Sequence, residues 1–214
     1  MANVRESWIE TSDVISMFPT LVWQASLRPS LRDAVNARIL RVLDALRRDL
    51  PPLASGMGWQ SEQTLHEREE LGELAACVGD LARSVLRFLR SGYDAVDITG
   101  CWATVLAQGA SHRAHTHPNN FLSAVYYVRA EPGAGAINFH DPRAQADVIR
   151  PPVLELTSAN TDQVVVRVAS GTLLMFPSYL EHSVDANPSE HERVSVSFNL
   201  MFAAFARHVS KPLW

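Results

Sequence analysis

The sequence has few cysteines, no excess of positive charge and no long hydrophobic run, and each shortage excludes a class of protein. The two cysteines, Cys77 and Cys101, are too few for a disulfide scaffold and lack the spacing of a metal motif. Lys and Arg number 19 against 23 Asp and Glu, giving a formal net charge of -4. No nucleic-acid surface is therefore evident, because neutralising phosphates requires a basic face. No apolar run approaches the roughly 18 residues of a membrane span, so we expect no membrane association.

The length and composition predict one globular domain. The chain has 214 residues, of which 47% are hydrophobic and 20% are charged. We expect a single domain over 1–214, with strand and helical support in 1–95 and a β core in 96–205. The first residues, Met-Ala-Asn-Val-Arg-Glu-Ser-Trp, lack the apolar core of a secretory signal. A cytoplasmic location is the expectation.

The first half of the chain has mainly helical periodicity. An apolar run at 17–23 predicts a strand at a sheet edge, where Pro19 is tolerated. Apolar residues at helical intervals predict a helix from Ser30, as its N-cap, to Leu50. A second helix is predicted from near Leu65 until Gly92 stops it. Both helices are interpreted as scaffold.

The second half changes to short extended runs without helices between them. This pattern is typical of an antiparallel sandwich or barrel. Two helices followed by about eight strands predict a mainly β fold with α (α+β), a double-stranded β-helix or cupin-like jelly roll with two supporting N-terminal helices. The predicted strands are 97–108, 121–128, 136–139, 153–156, 164–168, 172–176 and 193–202.

A histidine cluster precedes one of these strands. His115 and His117 are two residues apart, so they point to the same face of an extended chain and can share one metal ion. A third ligand must then come from a distant strand. His182 is the natural candidate, because it follows a strand and turn that end near the core. His112 is three residues before His115, so we expect it to face another way, either at the surface or supporting a ligand without binding the metal.

A polar stripe follows His182 in the chain. Alternation from Arg193 onwards places Arg193, Ser195 and Ser197 on one face of a strand and apolar residues on the other. One interpretation is a solvated face. The other is a polar pocket inside the barrel, where the guanidinium would bind a carboxylate through two parallel hydrogen bonds.

These elements, in this order, resemble the iron(II)- and 2-oxoglutarate-dependent oxygenases, especially their prolyl-hydroxylase-like branch. The resemblance covers roughly residues 100–201. It rests on a sequence of short motifs rather than on any one of them: His115-Thr-His117, a strand ending in Tyr126-Tyr127, the strand Gly171 to Phe176, His182 and Arg193.

The resemblance implies a role for each matched position. His115, His117 and His182 would bind iron(II) and form the catalytic centre. Arg193 would pair with the distal carboxylate of 2-oxoglutarate, with Tyr127 donating its hydroxyl to the same group. Ser123 and Ser197 are weaker candidates for lining that pocket. Three protein ligands would leave coordination positions on the iron for 2-oxoglutarate and for dioxygen. These are the two cosubstrates of an oxidoreductase of this kind.

The sequence departs from the family pattern at one ligand. Asp or Glu is normal where this chain has His117, and a neutral ligand leaves the site about one charge unit more positive. Asp141 or Asp185 could supply a carboxylate instead, and His140 could border the site. Two alternatives follow: a three-histidine, cupin-type dioxygenase that needs no 2-oxoglutarate, and a non-catalytic barrel that binds a metal or small ligand.

The sequence does not identify the substrate. In this family loops at the barrel mouth choose it, which here would be 55–63, 130–135 and 157–163. A homodimer through exposed sheet edges is a further possibility.

Overall fold

A computed structural model describes residues 8, 10–131, 135–147, 149 and 151–203. Its two α-helices are α1 (Pro29–Leu46) and α2 (Gly72–Phe88), and short 3-10 turns lie at Leu65–Glu67, Glu69–Leu71 and Ala144–Asp147. The ten strands are β1 (Trp23–Ser26), β2 (Gly58–Gln60), β3 (Val96–Leu106), β4 (His112–His115), β5 (Leu122–Arg129), β6 (Ala136–His140), β7 (Gln163–Arg167), β8 (Thr172–Pro177), β9 (His182–Val184) and β10 (Arg193–Phe202).

The strands form two antiparallel sheets. The larger has the order β1-β8-β5-β10-β3-β2, and the smaller has the order β4-β9-β6-β7. Strands that are distant in the chain are neighbours in both sheets, as when β10 pairs with β3 on one side and β5 on the other. The predicted double-stranded β-helix with supporting helices is confirmed.

Both helices belong to the core on the outer face of the large sheet. Residues of α1 such as Val35 and Ile39, and of α2 such as Val78, form one buried cluster with alternate residues of β3, β5 and β10. Alternation along β5 sends Tyr126 to this side, where its hydroxyl donates to Asn36 Oδ1 at 2.7 Å. The neighbouring Tyr127 belongs to a second cluster between the two sheets.

Several predicted boundaries are wrong. The N-terminal edge strand begins at Trp23 rather than ending there, although it does lie at the edge of the large sheet. Ser30 is inside α1, which begins with Pro29 at its first position, and the helix ends at Leu46. The second helix begins at Gly72, because the preceding residues form 3-10 turns.

One predicted strand is missing and three strands were not predicted. Residues 153–156 form no strand, and Leu154 there is fully exposed, so this apolar run packs into neither core cluster. The additional strands are β2, which lies in a predicted loop, and β4 and β9. The last two carry the histidines. Neither helix of the described part of the chain has the length and hydrophobicity of a membrane-spanning segment.

Candidate active site

Pairing of β4 with β9 brings two distant histidines together. His115 and His182 are register partners, and their ring centroids lie 4.4 Å apart. His117 follows the end of β4, and its backbone N–H donates to the Ser178 carbonyl at 2.9 Å. The His117 ring lies 5.0 Å from that of His115 and 5.2 Å from that of His182. The structure therefore brings together the three histidines that the sequence singled out.

Backbone carbonyls fix the tautomer of two of these rings. His115 Nδ1 lies 2.8 Å from the Arg113 carbonyl, and His182 Nδ1 lies 2.9 Å from that of Leu180. A carbonyl only accepts hydrogen bonds, so each Nδ1 carries a proton and each Nε2 is the nitrogen that could bind a metal. This outer hydrogen bond is typical of metal-binding histidines.

Burial favours the neutral form of His117 and His182. Removal from water, with a smaller contribution from the neighbouring His182, lowers the pKa of His117 to about 3. Burial likewise lowers the pKa of His182 to about 4. At neutral pH both imidazoles are therefore uncharged, which ligation to a metal requires.

The spacing of the rings suits a single metal ion. One nitrogen from each of the three rings can be chosen so that all lie within 4.8 Å of one another. Metal–imidazole bonds of about 2.1 Å place ligand nitrogens roughly 3 to 4 Å apart, so small side-chain adjustments would close the set. Three neutral nitrogens suit a borderline ion such as iron(II) or zinc better than a hard ion such as magnesium.

The predicted oxo-acid residues lie on the walls of the same cavity. Arg193, Tyr127 and Ser197 line it together with the three histidines. Arg193 is only 3% exposed, and burial lowers its pKa, an effect opposed by Tyr127 and Asp185. A guanidinium nevertheless keeps its charge in a protein. Burial raises the pKa of Tyr127, so its hydroxyl keeps its proton and can donate it.

Ser123 differs from the other predicted pocket residues. Its side chain is buried at the far end of the same strand face as Tyr127, but it is not among the residues that line the cavity. Its hydroxyl lies 2.9 Å from that of Ser178 and donates to Asn199 Oδ1 at 3.1 Å. The predicted contact of Ser123 with the cosubstrate stays a prediction.

The direction predicted for His112 is wrong. Its ring stacks on His115 with centroids 4.4 Å apart and lines the cavity. The cause is a register irregularity in β4 between these two residues, which turns both side chains to one side. Trp102 on β3 also lines the cavity, with its ring 5.7 Å from that of His117. Alternation along β3 could have identified Trp102.

The alternative carboxylate ligands lie outside the histidine group. Asp141 accepts two hydrogen bonds from the Arg143 side chain, at 2.9 and 2.8 Å. Asp185 accepts a hydrogen bond from Asn138 at 2.6 Å. His140 Nε2 lies 3.0 Å from Ser183 Oγ, and His140 is not among the residues that line the cavity. In the described part of the chain the candidate ligands are thus the three histidines.

Sequence reasoning missed Asn187, which braces the loop between β9 and β10. This residue is fully buried, and its Nδ2 donates to the carbonyls of Leu106 at 3.1 Å and His191 at 2.8 Å. Its Oδ1 accepts from the Ser189 N–H at 3.2 Å. The loop connects the strand of His182 to that of Arg193. This amide therefore fixes the positions of the two halves of the site relative to each other. An isolated asparagine gives no signal for such a role.

Comparisons with known proteins agree with this geometry. Residues 100–199 match the family described as "Putative 2OG-Fe(II) oxygenase". Among curated protein sequences, none is significantly similar to the chain.

Solved structures of low sequence identity share the fold. A prolyl-4-hydroxylase from Pseudomonas putida has a TM-score of 0.57 and 16% identity, over 85% of this chain and 92% of that one. A prolyl hydroxylase from Trichoplax adhaerens, in complex with a peptide fragment of hypoxia inducible factor, has a TM-score of 0.61 and 16% identity, over 89% and 87%. HygX from Streptomyces hygroscopicus, with nickel and 2-oxoglutarate bound, has a TM-score of 0.56 and 13% identity, over 86% and 83%.

The match of residues 100–199 covers the strands that carry the histidines and Arg193. It confirms the resemblance seen in the sequence, and with it the family's cofactors, iron(II), 2-oxoglutarate and dioxygen. Residues 100–199, a little under half of the chain, thus match the family of iron(II)- and 2-oxoglutarate-dependent oxygenases, which are enzymes.

Proposed function

We propose that this protein is an oxygenase in which His115, His117 and His182 hold iron(II), and that it hydroxylates a substrate with 2-oxoglutarate as cosubstrate. The observation that carries the proposal is the convergence of three imidazoles and one buried guanidinium on a single cavity. Burial of the guanidinium costs folding free energy. An acidic ligand in the cavity would offset that cost.

When bound, iron(II) supplies the oxidative decarboxylation that converts 2-oxoglutarate and dioxygen into succinate and carbon dioxide and transfers one oxygen atom to a substrate C–H bond. The residues of this chain bind and orient the reactants. Arg193 pairs with the distal carboxylate of the oxo acid, and Tyr127 donates its hydroxyl to the same group. Ser197 lines the same cavity, and the Ser123 hydroxyl lies beside that of Ser178, whose backbone carbonyl accepts a hydrogen bond from the His117 N–H.

The donor set carries no charge, which distinguishes this site from one with an acidic ligand. Iron(II) held by three imidazoles keeps both positive charges, so we expect it to attract the oxo-acid dianion more strongly than a site with one carboxylate. Without the oxo acid, we also expect the site to bind iron(II) less tightly, because no carboxylate ligand attracts the metal charge.

Succinate release tests this proposal. The protein, loaded with iron(II) without oxygen and then exposed to air, should convert 2-oxoglutarate slowly into succinate even without a substrate. Arg193→Ala should abolish this conversion and weaken 2-oxoglutarate binding by at least about 30-fold, because the distal carboxylate loses a buried charged partner. Arg193→Lys is the control that keeps the charge and loses the paired geometry. Its affinity for 2-oxoglutarate should fall between those of the wild type and Arg193→Ala.

The neutral donor set also favours one alternative, a three-histidine dioxygenase that binds its substrate directly and needs no oxo acid. In that case Arg193 would hold a carboxylate of the substrate. Oxygen consumption that is independent of 2-oxoglutarate, together with an absence of succinate, would support this alternative against the leading proposal. The homodimer and the cytoplasmic location stay predictions.

A further inference from the structure

Asn138 is a buried polar residue on the face of β6 that points away from the cavity. Its neighbours Ile137 and Phe139 belong to the core between the sheets, so alternation places Asn138 on the opposite face. It is nevertheless only 4% exposed. Its Oδ1 has no hydrogen-bond partner among the residues that the structure describes. A buried amide with only one of its two ends hydrogen-bonded costs stability. The bond made by its Nδ2 is therefore expected to have a role.

The paired end of Asn138 holds Asp185. Asn138 Nδ2 donates to Asp185 Oδ1 at 2.6 Å, and the Asp185 backbone N–H donates to the Ala136 carbonyl at 3.2 Å. The orientation of the amide follows from chemistry, because its oxygen would repel the carboxylate. Asp185 is exposed to solvent and follows the last residue of β9. Two contacts with the β6 region thus fix a residue that would otherwise begin a loop.

Asp185 in turn holds Arg193. The Asp185 backbone carbonyl accepts a hydrogen bond from Arg193 Nη2 at 2.8 Å. A guanidinium has five N–H donors in a rigid plane, so one fixed bond restricts the direction of the others. The bonded group is thus the neutral carbonyl of Asp185, while its carboxylate favours the charged guanidinium through space.

We infer that Asn138 and Asp185 are positioning residues that set the direction of the Arg193 guanidinium and thereby the affinity for the distal carboxylate of the oxo acid. This inference rests on the proposed function. The pair acts through Arg193 and touches neither the metal ligands nor the cosubstrate. Its effect should therefore be confined to ligands that carry a second carboxylate.

Two oxo acids separate this role from a general structural one. Calorimetric titration of the protein, loaded with iron(II) without oxygen, is carried out with 2-oxoglutarate and with 2-oxopentanoate. The second acid has the same chain length and lacks the distal carboxylate. Asn138→Asp places two carboxylates face to face, and we expect it to weaken 2-oxoglutarate binding by about tenfold. The affinity for 2-oxopentanoate and the metal stoichiometry should not change.

Exchanging the two side chains tests whether the lost affinity can be restored. The double variant Asn138→Asp/Asp185→Asn restores an amide–carboxylate bond with the donor and acceptor exchanged, and it should recover most of the lost affinity. Asp185→Asn alone keeps the shape and replaces a charged bond by a neutral one, so its loss should be about threefold. This milder variant serves if Asn138→Asp does not fold. Ser183→Ala, on the strand beside Asn138, should bind both oxo acids like the wild type.

The outcomes are distinguishable. If the wild-type protein binds neither oxo acid, the proposed function is wrong and this inference falls with it. If the wild type binds 2-oxoglutarate and the Asn138 and Asp185 variants bind it equally well, this inference alone is overturned. An equal loss of affinity for both oxo acids in Asn138→Asp would also overturn it, because that result indicates a general disturbance of the fold.

Discussion

His115 and His182 face each other across β4 and β9 as register partners, with their ring centroids 4.4 Å apart. One strand has four residues and the other three, so the pairing is short. It is reinforced on either side, because the His117 N–H donates to Ser178 and the His140 N–H donates to Glu181. The metal site that we propose therefore depends on the register of a few backbone hydrogen bonds.

His182→Ala should abolish stoichiometric metal binding. The remaining pair cannot complete a three-ligand set, and no acidic residue of the described chain belongs to the group. Metal content after loading and desalting measures this effect. His140→Ala is the control, because His140 pairs with Ser183 and does not line the cavity. Full metal content in His182→Ala would refute its assignment as a ligand.

Gly135→Ala should weaken 2-oxoglutarate binding by about tenfold or more. A Cβ there would lie 2.5 Å from Arg193 Nη1, so the guanidinium would have to move. The backbone of Gly135 has φ +98°, which also strains any other residue. Gly56→Ala is a control for strain alone, because its φ is +79° and a Cβ there meets nothing within 4 Å. Equal oxo-acid affinity in the two variants would contradict the prediction.

Glu192→Gln should lower stability at neutral pH and have little effect in acid. Glu192 accepts two hydrogen bonds from Arg47, at 2.9 and 2.7 Å, and the bonds from this guanidinium lower the pKa of the carboxyl. The contribution of the pair is thus present above the unfolded pKa of about 4.3 and disappears as the pH falls through the lower folded value. Because the pair is partly exposed, we expect about 0.5 to 1 kcal/mol.

Urea denaturation at pH 7 and at pH 3 measures this difference. Glu190→Gln is the control, because Glu190 is an exposed acid on the same loop. A free-energy difference between the wild type and Glu192→Gln that is constant across this range would show that the ion pair is not its source.

Asn187→Ala should destabilise the protein by about 2 to 4 kcal/mol, because it removes the partner of the buried Leu106 carbonyl and of two partly buried backbone groups, the His191 carbonyl and the Ser189 N–H. Denaturant unfolding measures this loss. Asn160→Ala, in an exposed loop where the side chain bonds to Glu155 and Thr157, should cost less than about 1 kcal/mol. Similar losses in the two variants would mean that burial of Asn187 contributes little.

The sequence was sufficient for the fold class because strand alternation and helical periodicity are local patterns. The strand 193–202 has the predicted bounds, and polar and apolar residues alternate along it from Arg193 to Leu200. The run 153–156 has the composition of a strand but packs on neither core, and local composition does not show whether a partner strand is available.

Residues of the candidate site could be predicted where they follow the order of motifs. They could not be predicted where their position depends on long-range contacts. His115, His117, His182 and Arg193 follow a known order of motifs, and the structure places them on one cavity. The irregularity that turns His112 towards His115 has no signal in the residue types. Asn138 and Asn187 act through partners on other strands, so only the folded chain reveals them.

Crystals grown without oxygen, with iron(II) and 2-oxoglutarate, provide the most direct measurement, by anomalous scattering at the iron edge. We expect one iron peak bound by nitrogens of His115, His117 and His182, with the distal carboxylate of the oxo acid on Arg193. An iron peak elsewhere, or an oxo acid whose distal carboxylate does not touch Arg193, would contradict the account.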